Sequence, residues 1–325
     1  MKREIKVHLL SAPIGTILHW FDDNIFLKLL RDKYDVKLVG ENEKFDILLW
    51  SLYKNHHMQF KNCIKMFWTE EPGFWSKNQL DTFYPKGDRF GDSARDADII
   101  MTTFYHNTKN NLRFPSYLVY YYDMLMDGML DKFSDFFNER IIKDRSLAKR
   151  KFCVFMHRSK TSSRNGELLF RSKFLEKLNK YKLVDDVSIG GGVREKINFV
   201  KQYKFCFSME NTNGSPLYFP SNKDTGDLHD IGYTSEKIVQ SFVSKSVPLY
   251  WGNQFIHKDI NTNMFINWHD FNDDDAMIDK IIELDNDDDK YVEYLNGTIF
   301  NKTFVLGIFK EFWDMVDASL EAKNE

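Results

Sequence analysis

Short apolar runs alternate with helical or polar segments along most of the chain. Several runs are apolar at consecutive positions, and strands that are apolar on both faces are typical of a parallel sheet covered by helices. One long helix is predicted over 127–149, where large apolar residues recur at helical spacing before a basic end. In the first half the predicted strands are 5–10, 35–39, 45–50, 63–68, 97–101 and 117–122.

The same alternation restarts after residue 149. A chain of 325 residues exceeds one ordinary core. The predicted fold class is therefore α/β, with two Rossmann-like domains, 1–149 and 150–325, that face each other across a cleft. In the second half we predict strands at 152–157, 183–189, 204–209 and 247–251, and helices at about 165–179, 195–202, from Ile238 onward, and at about 303–320.

The segment GYTSEKIVQSFVSKSVPLYWGN, which begins at Gly232, places polar side chains at the start of a predicted helix. Thr234 or Ser235 is the predicted N-cap, and Glu236 suits the positive end of the helix dipole. Lys237 does not suit it, unless an anion is also present. Ligands of open α/β sheets bind at the carboxyl ends of the strands, and phosphate is the anion that helix starts most readily bind.

No glycine-rich phosphate loop is recognisable. The pattern GxxxxGK[ST] does not occur, and GGGV at 190–193 does not fit GxGxxG and is equally well a plain turn. Side chains would then have to neutralise a phosphate. Arg171 is a candidate, because it interrupts an apolar helical face that includes Leu175 and Leu178, and its fork suits a diphosphate. It could instead extend to solvent at the edge of that face, or pair with Glu167.

Composition adds limits on partners and location. The net charge of −3 and the lack of a polybasic tail give no indication of a nucleic-acid partner. Cys63, Cys153 and Cys206 lie far apart in apolar runs, which predicts buried thiols in a reducing compartment. The first apolar run is too short for a signal peptide, and no window resembles a membrane span. We expect a cytoplasmic protein, with peripheral membrane association left open.

Three motifs carry a resemblance to a known family. KFCFSMEN, GYTSEKIVQSF and SVPLYWGN follow one another over about 200–270. In this order they resemble the donor-binding core of the α1,3/α1,4-fucosyltransferases, glycosyltransferase family 10, in a bacterial-type soluble form. Upstream, the helix around Arg171 resembles the family's phosphate-binding arginine helix. The segment MFWTEEP at 66–72 resembles the one that carries the family's catalytic glutamate.

The resemblance implies a GT-B architecture, with the acceptor on the N-terminal domain and GDP-fucose on the C-terminal domain. It implies that Arg171 and Lys237 neutralise the diphosphate. It also implies that Asn211, Tyr233 and Glu236 line the donor pocket.

For catalysis, the resemblance implies that Glu71 removes the proton from the acceptor hydroxyl in a single inverting displacement. Glu236 would hold the sugar or stabilise positive charge at its anomeric carbon. The implied reaction is transfer of L-fucose from GDP-fucose to a GlcNAc-containing oligosaccharide or glycolipid, in α1,3 or α1,4 linkage, without a required metal. Alternatives are the same fold with another nucleotide sugar, or a non-catalytic nucleotide- or glycan-binding module. The presence of Glu71 favours the enzyme.

Simpler interpretations exist for several of these residues. Glu70 and Glu71 could form a charged turn after a strand, Tyr233 could pack on the preceding loop, and Asn211 could be a turn former. The aspartate runs 273–275 and 287–289 suggest a metal site. The first run, however, also fits a helix start and the second a junction between helices.

The link 212–232 is longer than the family pattern and rich in glycine, proline, asparagine and aspartate. We expect it to be a loop beside the donor site that bears on the choice of acceptor.

Overall fold

A computed structural model describes residues 2–10, 23–51, 56–70, 96–104, 109–132, 134–157, 165–189, 192–210 and 232–323. The predicted site residues Glu71 and Asn211 lie outside these ranges. So do residues 190–191 of the glycine run and residues 212–231 of the long link.

The first sheet has six parallel strands in the order β2-β1-β3-β4-β5-β6. Its inner strands β3 and β4, with the largely apolar sequences ILLW and IKMFWT, are buried at every position, as a parallel sheet covered on both faces predicts. The elements are β1 Glu4–Leu9, α1 Ile25–Lys33, β2 Asp35–Leu38, β3 Ile47–Trp50, a 3₁₀ turn His56–Gln59, β4 Ile64–Thr69, β5 Ile99–Thr102, β6 Asn111–Arg113 and α2 Ser116–Met126.

The second sheet has five parallel strands in the order β11-β10-β9-β7-β8. Within the described residues of this half, four 3₁₀ or short helical turns and six longer helices accompany it. The elements are a 3₁₀ turn Arg145–Lys149, β7 Lys151–His157, α3 Asn165–Leu178, β8 Asp185–Ser188, α4 Val193–Val200, β9 Tyr203–Phe207, α5 Lys237–Val243, β10 Val247–Tyr250, α6 Ile256–Asp259, a 3₁₀ turn Thr262–Met264, β11 Ile266–Asn267, a 3₁₀ turn Trp268–Asp270, α7 Asp274–Asn286, α8 Asp288–Tyr294 and α9 Lys302–Ala322.

Two parallel sheets with helical connections confirm the predicted pair of Rossmann-like domains. The limits 1–149 and 150–325 remain a prediction. The last helix, α9, falls within 150–325 but packs against the first domain. In α9, the Trp313 indole N–H donates to the Leu29 carbonyl at 2.7 Å. Asp317 on the same helix forms hydrogen bonds with Lys33 and Tyr34.

The prediction of a strand at 117–122 is wrong, because this segment forms α2. Nine of the eleven residues of α2 are buried. A helix that is apolar on all sides lacks the polar stripe that would distinguish it from a buried strand. The strand that completes the sheet is β6, a three-residue strand at its edge that the sequence pattern did not reveal.

The prediction of one long helix over 127–149 is also wrong. Gly128 has a φ of +67° directly after the end of α2, a left-handed conformation that commonly terminates helices. Turns follow, and among the described residues of this segment the one helical element is the 3₁₀ turn Arg145–Lys149. Phe136 is buried while Ile141 is 68% exposed, so the apolar residues do not share one helical face.

The aspartate runs lie where helices begin, as predicted. Asp273 accepts the Ala276 N–H at 2.9 Å as the N-cap of α7. Asp287 caps α8 in the same way, at the junction with α7. The three cysteines are buried free thiols, again as predicted. Among the described helices, none combines the length and the apolar character required to cross a membrane.

Candidate functional site

The carboxyl ends of β9 and β10 meet at one edge of the second sheet. The pairing of Phe207 with Leu249 continues beyond both strands, since the Glu210 N–H donates to the Trp251 carbonyl at 2.7 Å. The turn Tyr233–Glu236 lies directly before α5 and against this edge. The three motifs singled out in the sequence therefore converge at a single point.

Glu210 lies at that point, and its side chain is 0% exposed. One carboxylate oxygen accepts the Ser235 backbone N–H at 2.7 Å. The other accepts the Ser235 hydroxyl at 2.5 Å and the Lys237 ammonium at 3.1 Å. A buried carboxylate requires partners of this kind, and it thereby fixes the turn that precedes α5.

Glu210 also explains the lysine at the start of a helix. Lys237 is the first residue of α5, and its ammonium donates to Glu210 and, at 3.0 Å, to the Ser235 hydroxyl. The carboxylate supplies the anion that the sequence required. The predicted N-cap is wrong: Glu236 occupies that position without a side-chain capping bond. The Ser235 hydroxyl, one residue earlier, donates to Glu210 and accepts the Lys237 backbone N–H at 3.4 Å.

The Trp-Gly-Asn segment after β10 leaves space for this carboxylate. A Cβ atom at Gly252 would lie 2.5 Å from the Glu210 Cγ atom, closer than carbon atoms can approach. The Asn253 amide donates to the Thr234 hydroxyl at 3.1 Å and so holds the turn from a second side. Burial, together with the neighbouring Glu210 carboxylate, raises the pKa of Tyr250 well above its ordinary value, so the phenol keeps its proton.

The first domain holds the same turn from the opposite side. Arg113, at the end of β6, donates to the Gly232 carbonyl at 2.6 Å and pairs with Asp259 at 2.5 Å. Its side chain is 4% exposed and that of Asp259 is 1% exposed. At the start of α2, the Ser116 hydroxyl donates to the Thr234 carbonyl at 3.1 Å. The turn therefore lies between the two sheets.

A buried phenol lies close to the carboxylates of Glu70, after β4, and Glu236, before α5. The Tyr120 hydroxyl, on α2, donates to a Glu70 carboxylate oxygen at 3.0 Å. Burial raises the pKa of Tyr120 well above its ordinary value, and the carboxylates of Glu236 and Glu70 raise it further. Tyr120 therefore stays protonated, and it lies near the carboxylates of both Glu70 and Glu236.

Arg171 lies on α3 and is 9% exposed. The next residue toward the amino terminus, Phe170, stacks on Trp251 with 4.7 Å between ring centroids, so this part of α3 packs beside the end of β10. An arginine that extended to solvent would be more exposed, and its burial therefore disfavours that alternative. The Glu167 side chain lies outside the described part of the chain.

The described site residues thus fall into one neighbourhood. Tyr233 and Glu236 lie in the turn, the first buried and the second half-buried, and Lys237 is half-buried directly after it. Their roles toward a ligand stay predictions, as do those of Arg171 and of the two residues outside the described ranges.

Sequence reasoning missed Glu210 and Arg113. A signal for Glu210 was present, because it is an acid directly after a buried strand and beside the singled-out Asn211. Arg113 carried no comparable signal, since its strand has only three residues. Across the described ranges, no group of three or more histidine, cysteine, aspartate or glutamate side chains is arranged to hold a metal ion.

Comparison with known proteins shows what this chain is similar to. Residues 226–304 match the family model described as glycosyltransferase family 10 (fucosyltransferase) C-term. A relative, the alpha-(1,3)-fucosyltransferase FucT of Helicobacter pylori, is 31% identical over 164 residues, which are 48% of this chain and 29% of that protein. The match thus spans less than a third of the relative's length. The resemblance to family 10 inferred from the motifs is confirmed.

Solved structures agree on the fold. A crystal structure of an alpha1,3-fucosyltransferase with GDP-fucose superimposes with a TM-score of 0.61 at 20% identity, over 99% of this chain and 91% of that one. An alpha-glucosyltransferase in complex with UDP and DNA gives a TM-score of 0.53 at 11% identity, over 90% of this chain and 93% of the other. The architecture is GT-B, as the resemblance implied.

Proposed function

We propose that the protein is an inverting fucosyltransferase, which moves L-fucose from GDP-fucose to a hydroxyl of a GlcNAc-containing glycan. The names of the relatives favour an α1,3 linkage. One observation carries the proposal. The region that matches the fucosyltransferase family contains the turn Tyr233–Glu236. This turn lies between the two domains, and the Lys237 ammonium is fixed directly after it.

On the donor side, the diphosphate needs positive charge. Lys237 is fixed by Glu210, and the buried Arg171 lies on a helix that packs beside the end of β10. Two cations in fixed positions stabilise the negative charge that develops on GDP as the bond to fucose breaks. Tyr233, Glu236 and Asn211 would contact the nucleotide sugar.

On the acceptor side, the proposal assigns the base to Glu71. The acceptor oxygen attacks the anomeric carbon, the carbon–oxygen bond to GDP breaks, and its electron pair leaves with the diphosphate. The hydroxyl proton passes to the Glu71 carboxylate in the transition state. The adjacent Glu70 accepts a hydrogen bond from Tyr120, which supports a separate positioning role for it.

The test is a donor panel. The protein is incubated with GDP-fucose, GDP-mannose or UDP-glucose, each with and without type 1 and type 2 disaccharides, and nucleotide release is measured. We expect GDP release from GDP-fucose that depends on the acceptor. Acceptor-dependent release from another donor alone would favour the alternative nucleotide sugar. Tight GDP binding without any release would favour a binding module.

A further inference from the structure

We propose that Glu210 is a positioning residue for the donor, which acts by holding the Lys237 ammonium and the turn before it in the geometry that the diphosphate requires. This inference rests on the proposed function. It concerns a residue that would not itself contact the substrate, because its carboxylate is 0% exposed.

The first step concerns the lysine. Its ammonium lies at the end of a flexible four-carbon chain, and holding such a side chain in one geometry costs conformational entropy. Glu210 and the Ser235 hydroxyl fix it at 3.1 and 3.0 Å before any ligand binds. These two bonds use two of the three N–H donors of the ammonium. A phosphate oxygen could take the third without disturbing the first two.

The second step concerns why the residue must be a carboxylate. Three donors converge on its two oxygens: the Ser235 N–H, the Ser235 hydroxyl and the Lys237 ammonium. A carboxylate accepts all three, whereas the amide of glutamine would direct an NH₂ group at one or more of them. The buried negative charge also needs the ammonium as its counter-ion. Glu210 and Lys237 therefore hold each other.

The third step concerns the turn. Because Glu210 binds both the backbone and the side chain of Ser235, it fixes the residue immediately before Glu236. The Glu210 side chain occupies space that is free only because residue 252 is glycine, since a Cβ atom there would overlap it. One carboxylate thus sets the positions of two predicted donor-binding residues, Glu236 and Lys237.

The experiment is a double-mutant cycle in which titration calorimetry measures the affinity for GDP. The variants are Glu210→Gln, Lys237→Met and the double variant, and thermal unfolding confirms that each is folded. Glu210→Gln should weaken GDP binding about tenfold to a hundredfold, the factor of one charge-assisted hydrogen bond. In the Lys237→Met background the same substitution should change the affinity less than about threefold, because the residue acts through the lysine.

Steady-state kinetics provide a second readout. Glu210→Gln should lower kcat for fucose transfer and leave KM for the acceptor disaccharide unchanged. If Glu210→Gln does not fold, Ser235→Ala replaces it. This variant keeps the ion pair and removes the hydroxyl that joins its members, so GDP affinity should fall about two- to tenfold.

The outcomes separate the two proposals. GDP affinity equal to that of the wild type in Glu210→Gln, or in Ser235→Ala where that variant stands in, would overturn the positioning role while the proposed function stands. Two other results would also overturn the positioning role and leave Glu210 a structural residue. One is a loss of GDP affinity from Glu210→Gln that is equal in the wild-type and Lys237→Met backgrounds. The other is a change in the acceptor KM alone. A wild-type protein that binds neither GDP nor GDP-fucose would overturn the proposed function itself.

Discussion

At the scale of single residues, two ion pairs hold the turn before α5, and the members of each pair come from distant segments. Lys237 pairs with Glu210, and Arg113 with Asp259. From the sequence, a lysine at a helix start could be identified as needing an anion. The particular anion could not be identified, because the contact depends on how β9 and β10 are aligned in the sheet. A local sequence pattern can therefore identify one residue of such an ion pair, whereas its partner is identified only from the folded structure.

The two proposed phosphate-binding cations give a direct residue-scale prediction. Replacing Arg171 or Lys237 by alanine should weaken GDP binding about tenfold to a hundredfold, since each removes a charge-assisted contact to the diphosphate. Titration calorimetry with GDP measures it. The matched control is Lys310→Ala, a substitution on an exposed face of α9. This variant should bind GDP with the affinity of the wild type. Unchanged affinity in both site variants would remove these residues from the phosphate site.

The adjacent glutamates after β4 form a matched pair for the base. Glu71→Gln should lower turnover by about 10²–10⁴, because the amide cannot accept the acceptor's proton, while GDP-fucose still binds. Glu70→Gln should retain most of the turnover, since Glu70 is engaged with Tyr120. Initial rates at saturating donor decide between them. The reverse pattern would identify Glu70 as the base.

At the scale of elements, the strands buried on both faces were predictable, whereas α2 and the segment after it were not. Apolar runs such as Ile64–Thr69 suffice to predict a buried parallel strand. The run at 117–122 is also rich in apolar and aromatic residues but lies in a helix, packed against α5 on one side and α1 on another. Its environment therefore decided its conformation. At 127–149, one left-handed glycine outweighed the helical spacing.

The contact between β6 and α6 gives an element-scale prediction for stability. Arg113→Ala leaves the Asp259 carboxylate buried without its ion-pair partner, which should lower the free energy of unfolding by about 3–5 kcal/mol. Urea denaturation followed by fluorescence measures the change. Lys310→Ala, whose pair with Asp314 is exposed, should stay within about 0.5 kcal/mol of the wild type. A loss that is equally small for Arg113→Ala would mean that this pair does not hold the two elements together.

At the scale of the whole molecule, two parallel sheets hold a turn of the second domain between them. The first domain contributes Arg113 and Ser116, and the second contributes Glu210 and Asn253. The α/β class and the two domains followed from the alternation of apolar runs and from length. The packing of α9 on α1 did not, because an amphipathic helix does not specify which of two domains it covers.

The use of side-chain cations gives a whole-molecule prediction about metals. If Arg171 and Lys237 neutralise the diphosphate, transfer should continue at an undiminished rate in excess EDTA. The comparison is the initial rate with EDTA, with added Mn²⁺ and with neither. Loss of activity in EDTA that added Mn²⁺ restores would show that a metal takes part, and the aspartate runs 273–275 and 287–289 would then need to be tested.

The measurement that tests the central claim most directly is the structure of the product. The protein is incubated with GDP-fucose and a type 2 disaccharide, and the product is characterised by mass spectrometry and by NMR of the new glycosidic bond. We predict one added fucose in α configuration, attached to the GlcNAc residue, with one GDP released for each fucose transferred. A disaccharide recovered unchanged, from a protein that binds GDP-fucose and is folded, would contradict the claim that this chain transfers fucose to such a glycan.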